Sequence, residues 1–195
     1  MSRHQPPIVN LPNAVTLARL LLAFACIALL EIVTDPGTGG ALVWAAFALF
    51  VLAAGTDFLD GYLARSRNQV TALGRVADPF VDKVLVCGVM ISLLHHPEAA
   101  RCMPSWVVVV VVTREFLVTT LRGLVEAKGH KFPADRLGKL KMVAQCITVG
   151  ALLTLAAGTA TFETVAALGV WITLLLTVVS MFTYLAKAWP HLRES

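Results

Sequence analysis

Six apolar runs, each long enough to cross the hydrocarbon core of a bilayer, take up most of this 195-residue chain: residues 14–33, 41–64, 76–95, 104–125, 137–157 and 165–188. Runs of this length predict helices, and the expected fold class is an all-α integral membrane protein with six transmembrane helices and a short N-terminal interfacial segment. The breaks between them carry turn chemistry, including Asp35-Pro36-Gly37, the stretch 66–71, His95-His96-Pro97, 128–135 and 158–163. None is long enough to hold a separate module. With 57% hydrophobic and 14% charged residues, a water-soluble enzyme, a disordered chain and a disulfide scaffold are excluded. One domain is expected, with residues 1–13 as lead-in, 14–188 as the membrane bundle and 189–195 as a tail.

Orientation follows from the basic residues, because short loops rich in Lys and Arg stay on the cytoplasmic side. Arg65, Arg67, Arg75, Lys128, Lys139 and Lys141 fall on one face with most of the other cations, whereas Arg101 alone among Lys and Arg supplies the opposite loops. Both termini are therefore expected on the cytoplasmic side of an inner membrane. The basic excess of +4 reads as topology, and no nucleic-acid partner is expected. Trp44 and Trp106 fall near the outer interface and Trp189 near the inner one, as anchoring rings do. A secretory signal is disfavoured for the first run, since Arg19 interrupts it early and no small-residue cleavage site follows cleanly. Cys26, Cys87, Cys102 and Cys146 show no C-x-x-C spacing and read as packing residues. His4, His95, His96, His130 and His191 lie in breaks or tails and read as surface histidines.

Charge inside a bilayer is costly, so each intramembrane carboxylate is a functional candidate. Four sit in two adjacent segments: Asp57 and Asp60, spaced i, i+3, and Asp78 and Asp82, spaced i, i+4. Each pair shares a helical face, and a short turn between the segments lets the two faces converge on one crevice near the cytoplasmic surface. Four carboxylates in one crevice repel unless cations neutralise them, and an all-oxygen donor set suits two hard divalent ions such as Mg²⁺ or Mn²⁺. Gly61, Ala64 and Gly74 leave room for a bulky phosphate-bearing ligand, and Arg65 is placed to meet its charge. Structural ion pairs with Arg65 and Lys83, or a cation pathway, are the alternatives.

The run Asp57-x-x-Asp60-Gly61-x-x-Ala64-Arg65, eight further residues, then Gly74-x-x-x-Asp78-x-x-x-Asp82 resembles the signature of the CDP-alcohol phosphotransferase family at every fixed position. The resemblance implies a six-helix membrane enzyme, commonly homodimeric, which moves a phosphatidyl or related group from a CDP-linked donor to an alcohol and releases CMP. It assigns Asp57, Asp60, Asp78 and Asp82 to two divalent metals, makes Asp82 also the catalytic base, and matches Gly61, Ala64, Arg65 and Gly74 to donor binding.

The acceptor is read from the remaining charges. Arg114 lies deep in an apolar run beside Glu115, Arg122 follows near the end of that run, and Lys139 and Lys141 open the next. Cations in excess of the carboxylates suggest an acceptor carrying a phosphate; pairing of Arg114 with Glu115 is the plainer alternative. The strings Thr113-Arg114-Glu115, Leu121-Arg122-Gly123 and Gly138-Lys139-Leu140-Lys141, with Asn10-Leu11-Pro12-Asn13, Thr16 and Arg19, resemble the bacterial branch of the family that uses glycerol 3-phosphate. Met142 stands where that branch commonly carries Thr. The implied partners are CDP-diacylglycerol, glycerol 3-phosphate and the lipid bilayer, with Arg114, Arg122, Lys139 and Lys141 holding the acceptor phosphate. An inositol phosphate acceptor is the rival within the family, and a cation transporter the rival outside it.

Overall fold

The computed structural model describes the backbone of residues 11–33, 39–67, 72–130, 132 and 136–193, and the side chains of 13–33, 39–56, 77–130, 132, 137–190 and 193. Seven α-helices are seen among the described residues: α1 Leu11–Ile32, α2 Gly40–Arg67, α3 Ala72–Ser92, α4 Pro97–Cys102, α5 Ser105–Ala127, α6 Arg136–Ala156 and α7 Glu163–Arg193. Single 3₁₀ turns at Leu93–His95 and Ala160–Phe162 precede α4 and α7, and no strand occurs among the described residues.

Six of these helices match the six apolar runs, with three differences. Helix α1 already includes Leu11-Pro12-Asn13, since a proline in the first turn gives up only an N–H that has no intrahelical partner. The segment at His95-His96-Pro97 is not a plain turn: Pro97 opens α4, whose Arg101 pairs with Glu98 at 2.7 Å. Helix α7 runs on to Arg193, so residues 189–193 are helical.

Asn13–Ile32, Leu137–Ala156 and Ala160–Pro190 are long and apolar enough to cross a membrane, and Gly40–Thr56 is a shorter apolar stretch. Helices α3 and α5 have 21 and 23 residues, about 32 and 35 Å of helix. Helix α5 carries Arg114, Glu115, Arg122 and Glu126 along that length. Among the described residues all regular structure is helical, with the apolar helices of a membrane protein.

Along α7 packing runs opposite to that of a water-soluble bundle. The buried positions are Ala166, Val170, Thr173, Thr177, Ser180, Tyr184 and Ala188, while Leu168, Trp171, Leu175 and Phe182 are exposed. In lipid, apolar side chains gain nothing by leaving the surface, so small and hydroxyl residues take the contacts between helices. Thr148 of α6 meets Thr173 of α7 hydroxyl to hydroxyl at 3.1 Å, and a Cβ on Gly169 would stand 2.6 Å from the Thr148 Oγ1. Helix α1 packs on α2 and α3, α6 on α2 and α7, and α5 on α3 and α7. Helices α5 and α6 both end in a left-handed glycine, Gly129 at φ 85° and Gly158 at φ 84°. In each case the next residue's N–H reaches back to close the last turn, His130 to Val125 O and Thr159 to Thr154 O.

At the end of the bundle holding α4, Trp106 and Trp171 lie with ring centroids 6.0 Å apart, both exposed. Trp189 is exposed at the other end, under Arg193. Cys26 and Cys87 are buried, and Cys102 and Cys146 half-buried. His96 departs from the surface reading. It is buried, and because a carbonyl only accepts, its Nε2–H donates to Leu30 O at 3.2 Å, tying the loop to the end of α1. His191 lies in α7, with its side chain outside the described residues, as is His4.

Candidate active site

The start of α3 meets α1 through its carboxylates. Asp78 and Asp82, one turn apart, face Thr16 and Arg19, one turn apart on α1. Thr16 Oγ1 donates to Asp78 Oδ1 at 2.5 Å, and Arg19 Nη1 donates to Asp82 Oδ1 at 3.2 Å. Arg19 is 2% exposed and Asp82 27%, so the acid opens to a cavity while its partner is enclosed. Pro79 between the two acids has no N–H for the preceding turn, and Lys83 reaches back to donate to Pro79 O at 2.8 Å. Asp57, Asp60, Gly61, Ala64 and Arg65 lie near the C-terminal end of α2, and Gly74 near the start of α3. Their side chains are outside the described residues, so convergence of all four acids is too. Among the described residues no group of three or more His, Cys, Asp or Glu side chains could hold a metal ion. The donors described at Asp78 and Asp82 are carboxylate oxygens one helical turn apart on a shared cavity wall, which fits a hard divalent ion.

That cavity, of about 500 Å³, brings Asp78 and Asp82 together with Arg114, Arg122, Lys139 and Lys141. The two acids come from α3, the arginines from α5 and the lysines from α6, with α7 contributing Tyr184. All four cations singled out in the sequence therefore reach the compartment that holds the two acids.

Their partners differ from those expected of cations waiting for an anion. Arg114 Nη1 donates to Glu115 Oε1 at 3.1 Å and Nη2 to Ser180 Oγ at 2.9 Å. Lys141 Nζ donates to the same Glu115 Oε1. Arg114 and Lys141 are each 4% exposed. The Arg114–Glu115 pairing is thus real, and Glu115 balances two cations at once. Arg114, Arg122, Lys139 and Lys141 against Glu115 and Glu126, which lines the same cavity, still leave the acceptor side positive. Arg122 Nη2 donates to Tyr184 OH at 3.2 Å, Lys139 is exposed, and the Nε atoms of Arg114 and Arg122 are buried with no hydrogen-bond partner among the described residues.

Several participants were not singled out as site residues by sequence reasoning. Thr16 and Arg19 stood out only through family resemblance, and their contacts with acids 62 and 63 residues away leave no local trace. Ser180 and Tyr184 sit in the most apolar stretch of the chain. Their signal is that a hydroxyl at a buried helical position needs a partner in lipid.

The chain is 39% identical over 199 residues to the Bacillus subtilis protein named CDP-diacylglycerol–glycerol-3-phosphate 3-phosphatidyltransferase, covering 95% of this chain and 98% of that one. The Rickettsia typhi protein of the same name is 35% identical, with 90% and 94% covered. A Mycobacterium tuberculosis protein named "Probable phosphatidylglycerophosphate synthase" is also 35% identical, with 93% and 82% covered. The CDP-alcohol phosphatidyltransferase family matches residues 9–182. Two acids of the motif, Asp78 and Asp82, border a cavity lined with cations, and the chain belongs to the CDP-alcohol phosphatidyltransferase family.

Proposed function

We propose that this enzyme transfers the phosphatidyl group of CDP-diacylglycerol to glycerol 3-phosphate, giving phosphatidylglycerol phosphate and CMP. The observation that carries the reading is the shared cavity, with Asp78 and Asp82 on one wall and Arg114, Arg122, Lys139 and Lys141 on the others. The names of the relatives above point to the same donor and acceptor. A phosphate needs cations that are not cancelled, and the surplus over Glu115 and Glu126 supplies them. Inositol phosphate would suit the same charges, and it is the relatives' names that favour glycerol 3-phosphate.

Asp57, Asp60, Asp78 and Asp82 would hold two divalent ions, Mg²⁺ or Mn²⁺. When bound, such ions neutralise the diphosphate and stabilise charge on the leaving CMP. Gly61, Ala64, Arg65 and Gly74 bind the CDP portion of the donor. Arg114, Arg122, Lys139 and Lys141 seat the acceptor phosphate, so that its free hydroxyl lies toward α3. Asp82 takes the hydroxyl proton as the oxygen forms its bond to the lipid-linked phosphorus, and the bond from that phosphorus to CMP breaks. Arg19 fixes one oxygen of Asp82 from outside the cavity, which orients the carboxylate without occupying the cavity.

The six long helices form one membrane domain over residues 14–188. Its charged end, with both termini, faces the cytoplasm from the inner membrane, and the enzyme works as a homodimer, as the family resemblance implies. The test is CMP release by purified protein in detergent with CDP-diacylglycerol and Mg²⁺ or Mn²⁺, comparing glycerol 3-phosphate, inositol phosphate, inositol and serine. Release that depends on glycerol 3-phosphate is expected. Release with another acceptor alone would overturn the acceptor assignment, and none with any acceptor, in folded protein, would overturn the activity.

A further inference from the structure

Tyr184 is 3% exposed and lies beneath both arginines of the cavity. Its ring is 5.5 Å from the Arg114 guanidinium carbon and 5.9 Å from that of Arg122. Its hydroxyl accepts from Arg122 Nη2 at 3.2 Å. Two like charges on one ring repel each other, and the electron-rich face of the ring offsets part of that repulsion. The two cations are not held alike. Glu115 and Ser180 also fix Arg114, whereas the Tyr184 hydroxyl is the hydrogen-bond partner described for Arg122.

The surroundings fix Tyr184 in turn. Phe132 packs against its ring with centroids 5.7 Å apart. On α6, a Cβ at Gly138 would stand 3.3 Å from the hydroxyl oxygen, so the absent side chain leaves the oxygen its place. Arg114 and Arg122 are two helical turns apart on α5, and Tyr184 reaches them from α7, 62 residues beyond Arg122.

We infer that Tyr184 is a positioning residue for the acceptor: it sets the spacing and direction of the Arg114 and Arg122 guanidinium groups, and through them the affinity for the phosphate of the acceptor alcohol. This rests on the function proposed above. Tyr184 itself transfers no proton and forms no bond in the reaction.

Two substitutions test this without emptying the core. Tyr184→Phe keeps the ring and removes only the hydroxyl. Gly138→Ala leaves Tyr184 intact, crowds the hydroxyl, and puts a better helix former into α6. Initial rates of CMP release are measured against glycerol 3-phosphate at saturating CDP-diacylglycerol, and the reverse, alongside melting curves in detergent. Both variants are expected to raise KM for glycerol 3-phosphate about five- to tenfold, the size of one weakened hydrogen bond to a charged group. The KM for CDP-diacylglycerol and kcat stay at wild-type values, and the melting temperature does not fall. An unchanged KM for glycerol 3-phosphate in both variants would overturn the inference. So would parallel changes in both KM values with a lower melting temperature, since that is the pattern of a purely structural tyrosine. Wild-type protein lacking turnover with glycerol 3-phosphate would instead overturn the underlying function, and is read before either variant.

Discussion

Glu115 accepts from Arg114 and Lys141 in a setting where all three side chains are largely enclosed. Removing one partner of a buried ionic group strands the others and costs about 3 kcal/mol. Glu115→Gln is therefore expected to lower stability by about that amount; a wild-type melting temperature in detergent would show that the pairing does not support the fold. Asp82→Asn is a contrasting case, because the amide oxygen can still accept from Arg19 while its capacity to take a proton is lost. CMP release is expected to fall about 10³-fold, and near-normal rates in folded protein would remove Asp82 from the chemistry. The two cases also differ in how visible they are in the chain. Arg114 and Glu115 are adjacent, and the acids of α3 stand at a spacing that already points to one helical face. The second cation on Glu115 comes from 26 residues further on, and nothing near Lys141 in the sequence indicates which carboxylate it meets.

Helices α6 and α7 approach closely because Gly169 has no side chain where Thr148 lies. Gly169→Val forces one helix away from the other, at a cost of about 1–3 kcal/mol. A lower melting temperature in detergent is the expected result, and an unchanged one would mean that the contact is slack. The places of the main helices were legible, because long apolar runs predict helices. Helix α4 was not, because Pro97 signals a break and an opening first turn equally well. The continuation of α7 through Pro190 was also hidden, since a proline near a helix end reads as a stop. Which face of α7 turns inward was not read from the sequence, because Thr173, Thr177, Ser180 and Tyr184 lie inside with large apolar side chains outside, the inverse of the usual rule.

The molecule as a whole has a charged end, where the cavity lies, and an opposite end where α4 and His96 close the bundle. Burial lowers the proton affinity of the His96 ring, outweighing the opposing effects of its bond to Leu30 O and of Glu31, while His95 adds to the lowering. The folded form thus favours neutral imidazole. Its stabilising contribution is fully present above the unfolded-state pKa of about 6.5 and is lost as pH falls through the lower folded-state value. Melting temperature is expected to decline on acidification below that pH, with a shallower decline in His96→Asn; equal slopes would remove His96 as the cause. The Arg19–Asp82 pair at the charged end spans 63 residues of chain, which has a consequence for synthesis. Helix α1 enters the membrane carrying an arginine whose carboxylate has not yet been translated. Its seating becomes final only when α3 arrives, so a ribosome halted between the two should leave the first segment more readily extracted from the bilayer than one halted after Asp82.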